Sequence, residues 1–432
     1  MEFSMECNMA TMTATTGSHR IEVMAPVGSW ESLSAAMQAG ADAIYFGVGK
    51  LNMRSRSAAN FSREDLPEIV ATTSRYGIKT YLTVNTVIYD QELDEMHLLL
   101  DMAREAGISA IIASDMAVIS YCRSIGLEVH ISTQCNISNF ESVKFHAQFA
   151  DVMVLARELS LRQIASINQS IRDNNLRGPS GELVRTEIFC HGALCMSVSG
   201  KCYLSLDNAN LSANRGECLQ LCRRQYLVKD METDTELRVD GPYIMSPKDL
   251  CTIGFLDKIV KAGISVLKIE GRGRSADYVK TTVQCYREAA EAIINDSYSQ
   301  ERIADWTHRL STVFNRGFWD GYYLGRNLGE WSQRYGSQAI ETKIYLGVVS
   351  NVFGKINVAE ARIDTANTLS VGERYMVIGK TTGVYEDVVS QIRVDGKEAL
   401  SASQGDIISL PVKLTLRRGD KLYKIVTTTD EY

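Results

Sequence analysis

From Ile21 to about Glu270 the chain repeats one unit: a helix, a glycine, then a short β-branched run. The glycines are Gly40 (QAGADAIYFG), Gly77 (RYGIKTYLTV), Gly107 (EAGISAIIAS), Gly126 (SIGLEVHIST) and Gly263 (KAGISVLKIEG). A glycine just past a helix supplies the left-handed residue that stops it, and the apolar run that follows reads as a buried strand. With the openings IEVMAP, DVMVLA and RTEIFC, the pattern gives eight strands, starting near Ile21, Ala43, Lys79, Ala110, Glu128, Asp151, Arg185 and Ser265. That count predicts an α/β fold, a (β/α)8 TIM-like barrel over residues 21–295, with an open doubly wound sheet as the alternative. No GxGxxG follows Gly28, so a dinucleotide site is not indicated.

One interruption breaks the repeat. Between the seventh and eighth strands lies a cysteine-rich insertion, residues 190–251, far longer than an ordinary βα loop. In a barrel such loops sit at the carboxyl ends of the strands, where active sites are built. The stretch Asp277–Ile294 is expected to end the barrel, and residues 296–341 to form a connector containing the aromatic-glycine segment FNRGFWDGYYLG. From residue 342 to 432 short alternating runs (IYLGVVS, KINVAEA, RYMVIG, YEDVVSQIRV, IISLPV, KLYKIV) predict a small C-terminal β-barrel domain. Residues 1–20 lack the apolar core of a secretory signal and read as a flexible leader. No run reaches the ~18 apolar residues of a membrane span, so cytoplasm is the expected compartment.

In that compartment ten cysteines are reduced thiols or metal ligands rather than disulfides. Cys122, Cys135 and Cys285 read as small buried hydrophobes, and Cys7 lies in the leader. The insertion differs. Cys195 and Cys202 form a C-x6-C pair in a glycine- and serine-rich loop, Cys218 follows after fifteen residues and Cys222 after three more, and Cys251 closes SPKDLC. Sulfur concentrated in a loop favours soft-metal ligation, and without a CxxC pair the spacing does not fit a zinc ribbon. Three close cysteines with a more distant one suit an iron–sulfur cluster; zinc and metal-free thiols stay open on spacing alone. A net charge of −6 argues against a chain coated in basic charge for nucleic acid, so DNA is not expected and any RNA contact must be local.

The string EIFCHGALC at 187–195, continued by GKCYLS at 200–205, closely resembles the collagenase-like peptidase family U32, whose catalytic type is unassigned. NRGECLQLCRR at 214–224, MSPKDLC at 245–251 and LKIEGRGRSADYV at 267–279 resemble it too, and the likeness spans roughly Ile21 to Ile294. The family name implies a hydrolase. Several branches, however, resemble oxygen-independent hydroxylases that bind a [4Fe–4S] cluster and act on tRNA, ribosomal RNA or ubiquinone precursors. By resemblance the metal ligands are Cys195, Cys202, Cys218 and Cys251, with Cys222 as the alternative fourth. A single barrel with a β tail is similar to the tRNA branch, which forms 5-hydroxyuridine at the wobble position with prephenate as co-substrate. The expected partners are therefore tRNA and an electron donor that no residue identifies.

Peptide cleavage needs an activated nucleophile or metal-bound water, and neither GxSxG nor HExxH occurs. His191 is the one histidine of the long motif and the candidate base. For a hydroxylase, strand-end residues position the substrate: Asn85, Gln134, Arg157, Glu158, Lys268 and Glu270, with Arg272 and Arg274 as cofactor-binding groups. Lys268 and Glu270 are two apart and share one face of a strand. Inside a barrel they would be either proton-transfer groups or a buried ion pair that fixes the fold. Arg54, Arg56, Arg215, Arg223 and Arg224 are candidates for phosphate, and Trp319, Tyr322 and Tyr323 for stacking on bases or for packing the connector on the barrel.

Overall fold

The computed structural model describes residues 20–56, 58–224, 226, 229, 231–233, 245–325, 330–332 and 336–428; the rest of the expected leader, with Cys7, lies outside them. The strands β1 (Glu22–Pro26), β2 (Ala43–Gly47), β3 (Lys79–Val84), β4 (Ala110–Ala113), β5 (Val129–Ile131), β6 (Val152–Val154) and β7 (Arg185–Gly192) pair in parallel, each with the next. Two further strands follow, β8 (Asp249–Cys251) and β9 (Val266–Ile269). β9 pairs in parallel with both β7 and β1, closing an eight-stranded ring. The strand starts read from the sequence and those observed differ by at most one residue.

Short β8 stands outside the ring, antiparallel to β7, and carries a two-residue parallel strand, β10 (Phe318–Trp319). The FNRGF segment thus extends the sheet beyond the barrel.

Helices fill the crossovers: α1 (Trp30–Gln38), α2 (Leu66–Ser74), α3 (Leu93–Ala106), α4 (Met116–Ser124), α5 (Phe140–His146), α6 (Leu161–Asp173), α7 (Leu204–Ala209), α8 (Leu256–Lys261) and α9 (Ala276–Ile294), then α10 (Gln300–Thr312). All five helix-ending glycines of the repeat are left-handed, with φ between +66° and +88°. The barrel interior is filled by Met24, Tyr45, Tyr81, Ile112, Val152 and Val266 among others, so it is a packed core and not a pore. At the amino-terminal face Glu22 joins strands by accepting from Tyr81 at 2.7 Å, Lys79 at 3.1 Å and Arg185 at 3.3 Å. Among the described residues no helix is long and apolar enough to cross a membrane.

A separate antiparallel domain follows, with β11 (Glu341–Phe353), β12 (Val358–Ile363), β13 (Leu369–Ser370), β14 (Arg374–Gly379), β15 (Gly383–Val388), β16 (Ile392–Val394), β17 (Lys397–Ala399), β18 (Ser401–Ala402), β19 (Ile407–Pro411) and β20 (Lys421–Thr427). Eight of these form one sheet in the order β15-β14-β20-β11-β12-β19-β16-β17, over a core that includes Leu346, Ile363, Tyr375, Val377, Ile408 and Leu422. The domain packs on α1 and α9. Gln38 exchanges hydrogen bonds with Thr382 and Val384, Ser34 donates to the Lys380 carbonyl at 2.6 Å, and Lys280 to that of Val384 at 2.9 Å. Met376, Ile378, Val384 and Ile425 join the barrel's own apolar cluster.

Candidate active site

The carboxyl ends of the ring strands open into a cavity of about 360 Å³. Inward-facing strand residues line it: Tyr45 on β2, Thr83 on β3, Phe189 on β7 and Lys268 on β9. Strand-end and loop residues add Arg54, Asn85, Gln134, Arg157, Glu270, Arg272, Arg274 and Arg316. The insertion between β7 and β8 completes the wall with Cys195, Cys202, Cys218, Cys222 and Arg223.

The insertion stays folded through its own arginines. Arg215 pairs with Glu92 and donates to the Val87 carbonyl at 2.6 Å. Arg223 donates to Ser246 Oγ at 2.9 Å and the Pro247 carbonyl at 2.8 Å. Both were candidates for RNA phosphate; the structure uses them as braces, leaving Arg56 and Arg224 exposed. Gly216 lets the insertion approach the loop that follows β2. Its φ is +79°, and a Cβ there would stand 2.2 Å from the Asn52 carbonyl. Gly216→Ala is therefore expected to lose about 1–3 kcal/mol in urea unfolding, from backbone overpacking.

Glu270 Oε1 accepts from Arg54 Nε at 3.1 Å and Nη2 at 2.6 Å, and Oε2 accepts from the Tyr45 hydroxyl at 3.3 Å. Burial opposes its charge, but Arg54, Arg157 and Arg272 outweigh burial and hold the carboxyl at about 2. Glu270 is thus a permanent anchor for the cavity's arginines and is poorly suited to carry protons. Arg272 Nη1 donates to Thr83 Oγ1 at 2.8 Å and Asn52 Oδ1 at 3.1 Å, and burial lowers its guanidinium to about 10. Lys268 Nζ donates to Glu187 Oε1 at 2.8 Å, with both side chains buried. The two charges read from one strand face therefore take separate partners, and Lys268 forms the fold-fixing ion pair. Arg157 stacks 3.8 Å over the Phe189 ring, and Arg274 3.6 Å over that of Phe314.

The thiols divide into two groups. Cys195, Cys202, Cys218 and Cys222 line the cavity. Burial raises Cys222, Arg223 opposes that, and the thiols of Cys195, Cys218 and Cys202 raise it further. Cys251, expected among the ligands, does not line the cavity. Its Sγ lies 4.0 Å from the Tyr286 hydroxyl, and burial pushes it up to about 11. Cys122 and Cys285 are fully buried and Cys190 donates to the Lys268 carbonyl at 3.4 Å. Among the described residues no three His, Cys, Asp or Glu side chains gather closely enough to surround a single metal ion.

His191 also lies apart from the cavity. Its ring packs 5.5 Å from Tyr286, 6.1 Å from Tyr278 and 5.8 Å from Phe318, and burial lowers it to about 3. The reason is a bulge. Phe189 pairs with Lys268 and His191 with Ile269, so Cys190 is an extra residue that turns the strand's facing pattern over. Glu158 lines a small neighbouring cleft instead. Tyr45 and Arg316 are cavity residues that sequence reasoning missed; Tyr45 sits within an apolar run, AIYFG, that reads as core.

A sequence profile described as Peptidase family U32 matches residues 28–333. A protein of Porphyromonas gingivalis named collagenase is 53% identical over 403 residues, 93% of this chain and 97% of that one. The tRNA hydroxylation protein P1 of Bacillus subtilis is 33% identical over 76% of this chain and 77% of its own length. The 23S rRNA 5-hydroxycytidine C2501 synthase of Escherichia coli is 33% identical over 73% of this chain and 47% of its own.

Proposed function

The chain belongs to peptidase family U32, and from that premise we propose that it is an iron–sulfur enzyme hydroxylating the wobble uridine of tRNA without dioxygen. The observation that carries this reading is the set of four thiols lining one cavity at the carboxyl ends of the barrel strands. Their donor chemistry fits a [4Fe–4S] group, because each thiolate of such a cluster meets its own iron and the sulfurs need not close round one ion. Cys222 thus replaces Cys251 as fourth ligand. When bound, the cluster supplies electron transfer or Lewis-acid activation beside the substrate.

The remaining wall suits an anionic, planar guest. Arg54, Arg157, Arg223, Arg272, Arg274, Arg316 and Lys268 face it, with Glu270 as the acidic residue among the described liners; Glu187 and Asp249 pair with Lys268 and Arg316 from behind the wall, so five cations stand against Glu270. That excess of positive charge favours thiolates, phosphate and carboxylates together. Arg274, stacked on Phe314, would hold a carboxylate of a co-substrate such as prephenate, while Arg272, tied to Asn52 and Thr83, fixes the floor. Asn85 and Gln134 present amides for the edge of a base. Relatives named for tRNA and ribosomal RNA hydroxylation support this reading.

The collagenase-named relative favours a second reading, peptide hydrolysis in the same cavity. It lacks a base: no described liner is histidine, and His191 is buried elsewhere as a neutral ring. Nucleoside analysis of tRNA from a deletion strain separates the two. The strain should lose 5-hydroxyuridine-derived nucleosides and regain them with the wild-type gene but not with a Cys195→Ala variant. Unchanged nucleosides, with collagen cleavage by the Cys195→Ala protein, would establish the peptidase.

A further inference from the structure

A small cleft opens beside the main cavity, across the loop that carries Cys195. Trp319, Tyr322 and Trp331 form one side, and Arg157 lines both the cleft and the cavity. Trp319 is 4% exposed, yet its Nε1 donor has no hydrogen-bond partner among the described residues. Arg157 Nε, although its Nη1 holds the Ala193 carbonyl, is a second buried donor without one. A buried Trp N–H normally finds an acceptor, so two such donors at one cleft mark a place where an acceptor from outside fits. The aromatic side is not merely core. Trp319 and Tyr322 meet edge to face at 5.1 Å, while Trp331 is 36% exposed. By contrast the adjoining Tyr323 is buried, its hydroxyl donating to the Phe189 carbonyl at 2.7 Å, and serves packing alone.

We infer that this cleft is a stacking subsite for the nucleobase next to the one that enters the main cavity, with Trp331 and Tyr322 giving aromatic surface and Trp319 Nε1 donating to a base carbonyl. The inference rests on the RNA-hydroxylase reading and adds a second recognised nucleotide to it. Stacking surface together with an N–H donor suits a base, which offers a π face and edge carbonyls at once. The cleft's shared wall with the cavity, at Arg157, Leu194 and Cys195, sets the two positions side by side, as adjacent nucleotides of a single strand would be. Trp319, Tyr322 and Trp331 are positioning residues here, because none touches the reacting atoms.

The test uses the full chain, purified anaerobically, and two probes: fluorescein-labelled hexauridylate and uridine 5′-monophosphate. Trp331→Ala should bind hexauridylate about ten- to a hundredfold more weakly, the range expected for one lost stacking contact. Its affinity for the mononucleotide and its iron content should stay at wild-type values. Trp319→Phe keeps a ring and removes the donor, and should weaken hexauridylate binding about fivefold, while its mononucleotide affinity and iron content stay at wild-type values and the smaller buried ring lowers the melting temperature. Hexauridylate affinities that match wild type in both variants would make the cleft a water-filled crevice and overturn the inference, while leaving the hydroxylase reading intact. A proline-rich collagen peptide that binds the wild type and is lost in Trp331→Ala would overturn it in favour of a peptide partner. A wild-type protein that binds neither nucleotide probe removes the hydroxylase reading itself.

Discussion

Anaerobically purified Cys222→Ser protein is expected to carry almost no iron or acid-labile sulfide, and Cys251→Ser protein the full wild-type complement. Both cysteines follow Cys218 and both belong to family-like strings, so sequence alone gives them equal standing. Their surroundings separate them. Cys222 lines the cavity with Cys195, Cys202 and Cys218, and its thiol lies within electrostatic reach of all three. Burial raises the Cys222 thiol too, and Arg223 beside it offsets part of that rise. Cys251 instead stands outside the cavity lining, near Tyr286, and burial pushes its thiol up to about 11. Serine variants of Cys195, Cys202 and Cys218 should behave as Cys222→Ser does. Iron and sulfide determinations per chain read all five variants directly, and the reverse ranking of Cys222 and Cys251 would show that the cavity's thiols are not the ligand set.

The second large effect concerns the barrel's interior. Lys268→Met is expected to destabilise the protein by about 3–5 kcal/mol, because it leaves the Glu187 carboxylate buried and uncompensated. Glu187 is 0% exposed, its Oε2 has no hydrogen-bond partner among the described residues, and Lys268 is the cation that meets it. Replacing both, Lys268→Met with Glu187→Leu, should recover most of the loss, since an apolar pair of similar volume removes both desolvation penalties. Urea unfolding followed by circular dichroism measures both variants. A single variant as stable as wild type would mean that Glu187 finds another partner or takes up a proton without strain. A double variant as weak as the single would mean that packing, not charge, governs this layer.

The barrel was legible because its signals are local. Each of Gly40, Gly77, Gly107, Gly126 and Gly263 ends a helix with a left-handed residue, and each following run is buried on both faces, so element order and strand starts could be read residue by residue. The identity of the cavity's contributors was legible where a residue stands directly at a strand end, as with Asn85, Gln134, Arg157, Glu270 and Arg272. It failed where facing depends on register. His191 is two residues beyond Phe189, which faces the cavity, and a regular strand would have carried it to the same side; the bulge at Cys190 reversed that. Pairings were hidden for a related reason. Arg54 and Glu270 are far apart in sequence and meet only because the ring closes, and the partner of Lys268 comes from the neighbouring strand β7.

Ring closure also gives the C-terminal domain a mechanical meaning. The first and last strands of the ring, β1 and β9, lie side by side, and the helices behind them are α1 and α9, the two surfaces that the antiparallel domain grips through Ser34, Gln38 and Lys280. It therefore spans the seam where the barrel's two ends meet, as a clasp spans the opening of a bracelet. Prising β1 from β9 would also strip Met376, Ile378 and Val384 from the apolar layer they share with the barrel, so heat or denaturant must undo both bodies at that joint together.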